Sequence, residues 1–353
     1  MNFLFIVHGN GNGHQTQALA LYEELTKQGH TVNKCALTGS GNTRKGNLLK
    51  DTFEDLTTIG GFEFSYKNGY LNFSSTFIKN VLKLPKIVFA LNQINNFVAF
   101  YKPDYVISFY DVLYNLAREV YGLKTPYISI GHMYMFEDRN YGFQEYHNRF
   151  SFLKIFNRFT CLNAKKIISL SYESSSNSNL LTVGPILRES ILNYKKTIKN
   201  KKIVSYFHNE HSARIIAKEL NNFPSYEATI FSNTKKTIKE KNTIIRPISS
   251  TDFVKEFNDS YIFMSSCGFE STSEALFAEK KMLCIPIQNH IEQELNATHL
   301  NNKSLAYCLF NYNDLKYHIE NFLNDFEPNP ISLFFFKNFV EEAKKKVVQE
   351  IIF

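Results

Sequence analysis

The chain has 353 residues, 44% of them hydrophobic and 21% charged, a soluble globular balance that excludes a disordered or collagen-like chain. That length is too great for one ordinary core, so two domains are expected. Lys and Arg outnumber Asp and Glu by 40 to 33, a net charge of +7, which suits an anionic ligand or membrane surface but does not favour nucleic acid.

In chain order, "NFLFIV" (2–7) reads as a buried parallel strand, continuous and apolar. It runs into "HGNGNGHQTQ" (8–17), three glycines and a histidine within six residues. The helix that follows carries Ala18, Leu21, Tyr22 and Leu25 on one face and stops at Gly29. With "HTVNKCAL" (30–37) this completes a β-α-β unit, which implies a right-handed crossover and a parallel sheet. Further strands are expected at "DYVISF" (104–109), "PYISIG" (126–131) and "AKKIISLS" (164–171). A second series opens at "KKIVSYF" (201–207) and continues through "EATIFS", "NTIIRPI", "YIFMSS" (261–266) and "MLCIPI" (282–287), with helices between. Residues 329–352, "NPISLFFFKNFVEEAKKKVVQEII", read as one long terminal helix. The expected division is a first α/β domain over 1–184, a linker over 185–200, a second domain over 201–332, and a last helix over 333–353 that returns to the first domain.

The five cysteines (Cys35, Cys161, Cys267, Cys284, Cys308) are scattered and never in metal-ligand spacing, so buried thiols in a reducing compartment are expected. No basic, apolar leader opens the chain and no apolar run is long enough to span a bilayer. A cytoplasmic location is the expectation. Residues 73–102 mix apolar positions with Lys79, Lys83, Lys86 and Lys102, a pattern suited either to peripheral contact with an anionic membrane or to core helices with solvated lysines.

Gly9, Gly11 and Gly13 lack the spacing of a dinucleotide fingerprint, and "CALTGSGN" offers no carboxylate for a ribose, so NAD binding is disfavoured. What remains is a glycine turn at a strand's carboxyl end, with His14 opening a helix. That histidine either moves a proton or caps its own helix. Asp111, after another strand, either orients an acceptor or caps a helix. His132, in "SIGHMYMF", is either a second proton-handling candidate or a satisfied loop histidine.

"SSCGFESTSEALFAEKKMLCIPIQNHIEQELNATHL" (265–300) is the most informative stretch. A strand turns at Gly268, and Ser271, Thr272 and Ser273 are expected to open a helix with Glu274 in its first turn. Uncapped amides and small hydroxyls there form a phosphate site, unless the arrangement is only a capping box. Glu292 and Gln293, a carboxylate beside a carboxamide, can bind sugar hydroxyls.

Together "GNGHQTQALALYEELTKQGHTV", "TVGPILR" and the 265–300 segment resemble the GT-B glycosyltransferases, and are most similar to the MurG-like N-acetylglucosaminyltransferases. The likeness spans nearly the whole chain. It implies an α/β GT-B fold of two Rossmann-like parallel-sheet domains facing a central cleft. It also implies inverting transfer of a hexose or N-acetylhexosamine from a UDP-sugar, with no metal and no cofactor beyond that donor. Carried over residue by residue, Gly268, Phe269, Glu270, Ser271, Thr272, Ser273 and Glu274 meet diphosphate and ribose, with Glu274 on the ribose. Glu292 and Gln293 hold the sugar, Ile248 lies near the uracil edge, and Arg188 contacts diphosphate. Gly11, Asn12 and Gly13 close on the donor, and His14, with His132 as rival, serves as base or acceptor-orienting group.

Three departures stand out. Cys267 replaces a usual Gly or Ser, Glu270 puts a negative charge near the phosphates, and "SYFHNE" replaces a Gly-Gly-Ser turn. With "GHMYM" lacking the family's polar residues, these argue against the cell-wall enzyme itself. A lipid-linked or cell-envelope glycan is the acceptor class considered first. A 2-epimerase of the same fold, a non-catalytic nucleotide-sugar-binding protein and a nucleic-acid glucosyltransferase are the alternatives.

Overall fold

The computed structural model describes residues 1–9, 12–39, 48–50, 52–62, 65–67, 70–71, 73–138, 151–175, 180–193 and 201–353. The chain forms two compact units, Met1–Arg188 with Phe339–Phe353, and Glu189–Asn338. The first break falls inside the 185–200 segment read as a linker, and the chain re-enters the first unit at Phe339, where the sequence reading placed the return at 333.

In the first unit the elements run β1 (Asn2–His8), α1 (Gly13–Lys27), β2 (Thr31–Thr38), β3 (Leu56–Thr58), the short pair β4 (Tyr66–Lys67) and β5 (Tyr70–Leu71), α2 (Phe73–Leu82) and α3 (Leu84–Tyr101). They continue with β6 (Tyr105–Phe109), α4 (Leu113–Tyr121), β7 (Tyr127–Gly131), a 3-10 turn (His132–Glu137), α5 (Ser151–Cys161), β8 (Lys166–Leu170) and β9 (Leu181–Val183). Seven strands form one sheet, ordered β3-β2-β1-β6-β7-β8-β9, with every pairing parallel. Residues Phe3–Val7 are wholly buried, as a strand covered on both faces must be. Leu4, Ile6 and Val106 of the strands pack with Ile87, Ala90 and Ile94 of α3 and with Leu113 and Ala117 of α4. The order reverses between β1 and β6, so their carboxyl ends form the crevice where doubly wound sheets hold ligands.

The second unit holds α6 (Glu189–Leu192), β10 (Lys202–Tyr206), α7 (Glu210–Leu220), β11 (Glu227–Ser232), β12 (Ile238–Glu240), β13 (Thr243–Pro247), α8 (Ser250–Asp259) and β14 (Ile262–Ser265). It continues with α9 (Phe269–Phe277), β15 (Lys281–Cys284), α10 (Ile291–Asn302), β16 (Tyr307–Cys308) and α11 (Leu315–Asp325). Its sheet is ordered β12-β13-β11-β10-β14-β15-β16; only the β12–β13 pairing is antiparallel. Here the order reverses between β10 and β14. Lys280 is fully buried and donates to the carbonyls of Phe257 and Ser260 at 2.6 Å each, so its charge meets the carboxyl end of α8.

The tail is two helices rather than one, α12 (Pro330–Glu341) and α13 (Ala343–Ile352). Within the first unit, Lys344 pairs with Glu23 at 3.5 Å, Lys166 with Glu350 at 3.0 Å, and Lys346 donates to the Thr182 carbonyl at 3.3 Å. A Cβ at Gly184 would lie 2.4 Å from the Phe339 carbonyl oxygen, so only glycine allows that approach of backbone to backbone. Among the described residues no helix is long and apolar enough to cross a membrane.

Candidate functional site

The bend after β1 is built by close backbone approach. The Gly9 amide donates to the Thr38 carbonyl at 3.0 Å, and a Cβ on Gly9 would fall 2.3 Å from that oxygen. Gly11 lies outside the described residues. Asn12 precedes α1 without a side-chain cap, so the amides of the first turn have no side-chain partner from it. His14 is the second residue of α1. Its half-buried ring stacks on Tyr110 at 5.6 Å and 18°, and its Nδ1 lies 3.4 Å from the Gln17 carboxamide oxygen. Loss of water, and then the neighbouring His8, push its pKa down to about 3; Gln17 and Asp111 oppose this, and His132 adds a further lowering. His14 is therefore a neutral ring at ordinary pH.

Asp111 and His132 end neighbouring strands. The Leu113 amide donates to Asp111 Oδ1 at 2.8 Å, which fixes the start of α4, and the Thr38 hydroxyl donates to Oδ2 at 2.5 Å. His8 Nδ1 stands 3.3 Å from the same Oδ2. His132 is buried, and its Nδ1 lies 2.8 Å from the Leu170 carbonyl. Since a carbonyl only accepts, Nδ1 carries a proton and donates it. Sequence reasoning missed His8, although it is the polar end of an apolar strand beside the reversal point. Arg188 is buried at the end of this unit's first segment.

In the second unit, β14 leads into a loop strapped at both ends. Cys267 adopts a left-handed backbone (φ +64°), its amide donates to Ser265 Oγ at 3.1 Å, and its carbonyl accepts from Asn296 Nδ2 at 3.1 Å. Helix α9 then opens at Phe269 after Gly268, two residues earlier than the sequence suggests. The Ser271 and Thr272 hydroxyls donate back to the Gly268 carbonyl at 3.1 and 3.0 Å. Glu270, not Glu274, is the acidic residue of the first turn. Because Thr272 N already bonds Gly268 O, the amides beyond the helical ladder are those of Phe269, Glu270 and Ser271. Glu274, in the second turn, is buried, and the wholly buried Ser273 hydroxyl has no hydrogen-bond partner among the described residues.

Glu292 and Gln293 sit in the first turn of α10. The Gln293 carbonyl oxygen accepts from the Ile287 amide at 3.0 Å, so its amide N–H groups are what it can offer a ligand. Glu292 is half-buried and close enough to act electrostatically on the Cys267 thiol. Ile248 is half-buried beyond β13, beside Ser249, whose hydroxyl accepts from Asp252 N and caps α8. In "SYFHNE", Asn209 caps α7 by accepting from His211 N at 2.8 Å.

A model of the family described as "Glycosyl transferase family 1" matches residues 1–326. Among solved structures, the calicheamicin glycosyltransferase CalG4 is similar at a TM-score of 0.63 and 11% identity, over 99% of this chain and 97% of that one. Arabidopsis thaliana UGT89C1, complexed with UDP-L-rhamnose, gives 0.64 and 14% over 99% and 97%. MurG of Acinetobacter baumannii gives 0.56 and 16% over 99% and 98%. At these identities the likeness is one of fold. No curated protein sequence matches the chain.

Proposed function

The chain belongs to glycosyl transferase family 1 and is a GT-B glycosyltransferase, and from that premise we propose that it moves a hexose or N-acetylhexosamine from a UDP-sugar by single displacement with inversion. The observation that carries this is the mouth of α9. At the carboxyl end of β14, beside the reversal of strand order, the Phe269, Glu270 and Ser271 amides stand beyond the helical ladder, with the buried Ser273 hydroxyl behind them. Such a mouth stabilises a diphosphate, and it does so most as the negative charge of the departing UDP develops. The resemblance adds Glu274 on the ribose, Glu292 and the Gln293 amide on the sugar, Ile248 at the uracil edge, and Arg188, Asn12 and Gly13 on the diphosphate. His14, with His132 as rival, faces the acceptor as base or orienting group.

The reaction as proposed needs no metal and no cofactor. In this reading the positive end of α9 supplies the charge that faces the leaving diphosphate. The acceptor class proposed first is a lipid-linked or cell-envelope glycan. It is supported by the exposed apolar side chains of α2 and α3 interspersed with lysines. The decisive experiment offers a panel of UDP-sugars and measures UDP release, to water or to added acceptors. One donor is expected to turn over unchanged by a chelator, and His14→Ala and Glu274→Ala to lower its rate at least 100-fold. If neither substitution alters UDP release, this site assignment is wrong. A new UDP-sugar formed without acceptor would identify an epimerase, and tight binding without turnover a binding protein.

A further inference from the structure

Strand β6 runs directly into a strained residue. Tyr110 has a left-handed backbone, φ +54°, and is buried. A bulky side chain holds that conformation only where its surroundings impose it, and such strain collects at working sites. Here neighbours from three elements impose it. The Tyr110 hydroxyl donates to Asn157 Oδ1 of α5 at 2.5 Å. Asn157 Nδ2 in turn donates to the Met133 carbonyl and to Glu137 Oε1 of the 3-10 turn, at 3.0 Å each. Tyr134 and Phe156 meet the Tyr110 ring edge-on, at 5.5 and 5.6 Å. A Cβ on Gly131, the last residue of β7, would lie 3.1 Å from that ring, so a side chain there would push the ring aside. The ring fixed in this way lies against His14, the planes 18° apart and the centroids 5.6 Å apart. Two further contacts of the His14 ring are looser, an edge-on approach to His8 at 5.8 Å and a 3.4 Å bond to Gln17 of its own helix.

Resting on the transferase reading above, with His14 facing the acceptor, we propose that Tyr110 is a positioning residue whose ring sets the plane of the His14 imidazole. Anchored by Asn157 and walled by Tyr134 and Phe156, the tyrosine is a rigid platform, and the helix that carries His14 supplies only the reach. Tyr110 acts through His14 alone. A ring that turns out of line meets the acceptor hydroxyl poorly at the moment of transfer, whereas the donor is held by other groups, so the effect falls on kcat rather than on donor binding.

The first test needs no substrate. Diethyl pyrocarbonate attacks the lone pair of a neutral imidazole, and peptide mass mapping reads the rate at each histidine. Removing the platform in Tyr110→Leu is expected to speed modification of His14 roughly 20-fold while the buried His132 keeps its wild-type rate. Tyr110→Phe, which keeps the ring but loses Asn157, is expected to fall between the two, roughly fourfold faster than wild type. A wild-type rate at His14 in Tyr110→Phe overturns the proposal even if the leucine variant does not fold, and equal acceleration of His14 and His132 in a folded variant overturns it too. With the donor found above, Tyr110→Leu is expected to lower kcat about 30-fold or more with donor KM within threefold, Tyr110→Phe to recover most of that loss, and Tyr110→Leu to change kcat less than threefold once His14 is already Ala. An equal loss in both backgrounds shows an action other than through His14 and overturns the proposal. A wild type that turns over no UDP-sugar sinks the transferase reading instead, and the modification rates still decide whether Tyr110 holds His14.

Discussion

At the scale of single residues, His14 links folding to pH. In the unfolded chain an imidazole takes its proton near pH 6.5, whereas the folded ring waits until about 3. A group whose pKa falls on folding contributes stability that is complete above the unfolded value and lost as pH drops toward the folded one. The wild type should therefore lose more stability than His14→Gln between pH 6.5 and 4.5, by about 2 kcal/mol once the water still reaching the half-buried ring is allowed for. Urea midpoints of the two proteins across that range measure the difference. Equal slopes would mean that the ring is solvated in the native state.

At the scale of the element, two glycines that look alike in the sequence do different work. Gly9 lies against the Thr38 carbonyl with no room for a Cβ, whereas a Cβ on Gly268 would first meet Ser271 Oγ at an ordinary 3.7 Å. Gly268 also has an unremarkable backbone, φ −69° and ψ 138°, and the left-handed position belongs to Cys267. Gly9→Ala should therefore cost about 2 kcal/mol or more of stability. Gly268→Ala should leave stability within about 0.5 kcal/mol but weaken UDP binding at least tenfold by placing a methyl at the mouth of α9. Denaturation and calorimetry read these separately. Unchanged UDP affinity in Gly268→Ala would remove the diphosphate from that helix.

At the scale of the whole molecule, the exposed apolar side chains are not spread evenly. On α2 and α3, Ile78, Leu82, Val88 and Phe89 are each more than half exposed, among Lys79, Lys83 and Lys86 and with no carboxylate anywhere in either helix. Apolar contact plus attraction of about 1 kcal/mol per lysine near an anionic leaflet is enough for peripheral binding. The chain should co-sediment with phosphatidylglycerol–phosphatidylcholine vesicles, and the triple change of Lys79, Lys83 and Lys86 to Gln should weaken this roughly 100-fold. Equal sedimentation of the two proteins would take the membrane out of the proposal.

The sequence by itself determined the central strands of the two parallel sheets and most of the helices between them. Periodicity, glycine turns and continuous apolar runs are local properties, legible without knowing what lies opposite. Only the tertiary structure decided that α9 opens at Phe269, because the hydroxyls of Ser271 and Thr272 spend themselves on Gly268. It also turned the Gln293 oxygen toward the Ile287 amide. Above all it brought His8 to Asp111, 103 residues further along the chain. That pairing follows from β1 lying beside β6 in the sheet, and neighbours set by strand order and register leave no local trace in either segment.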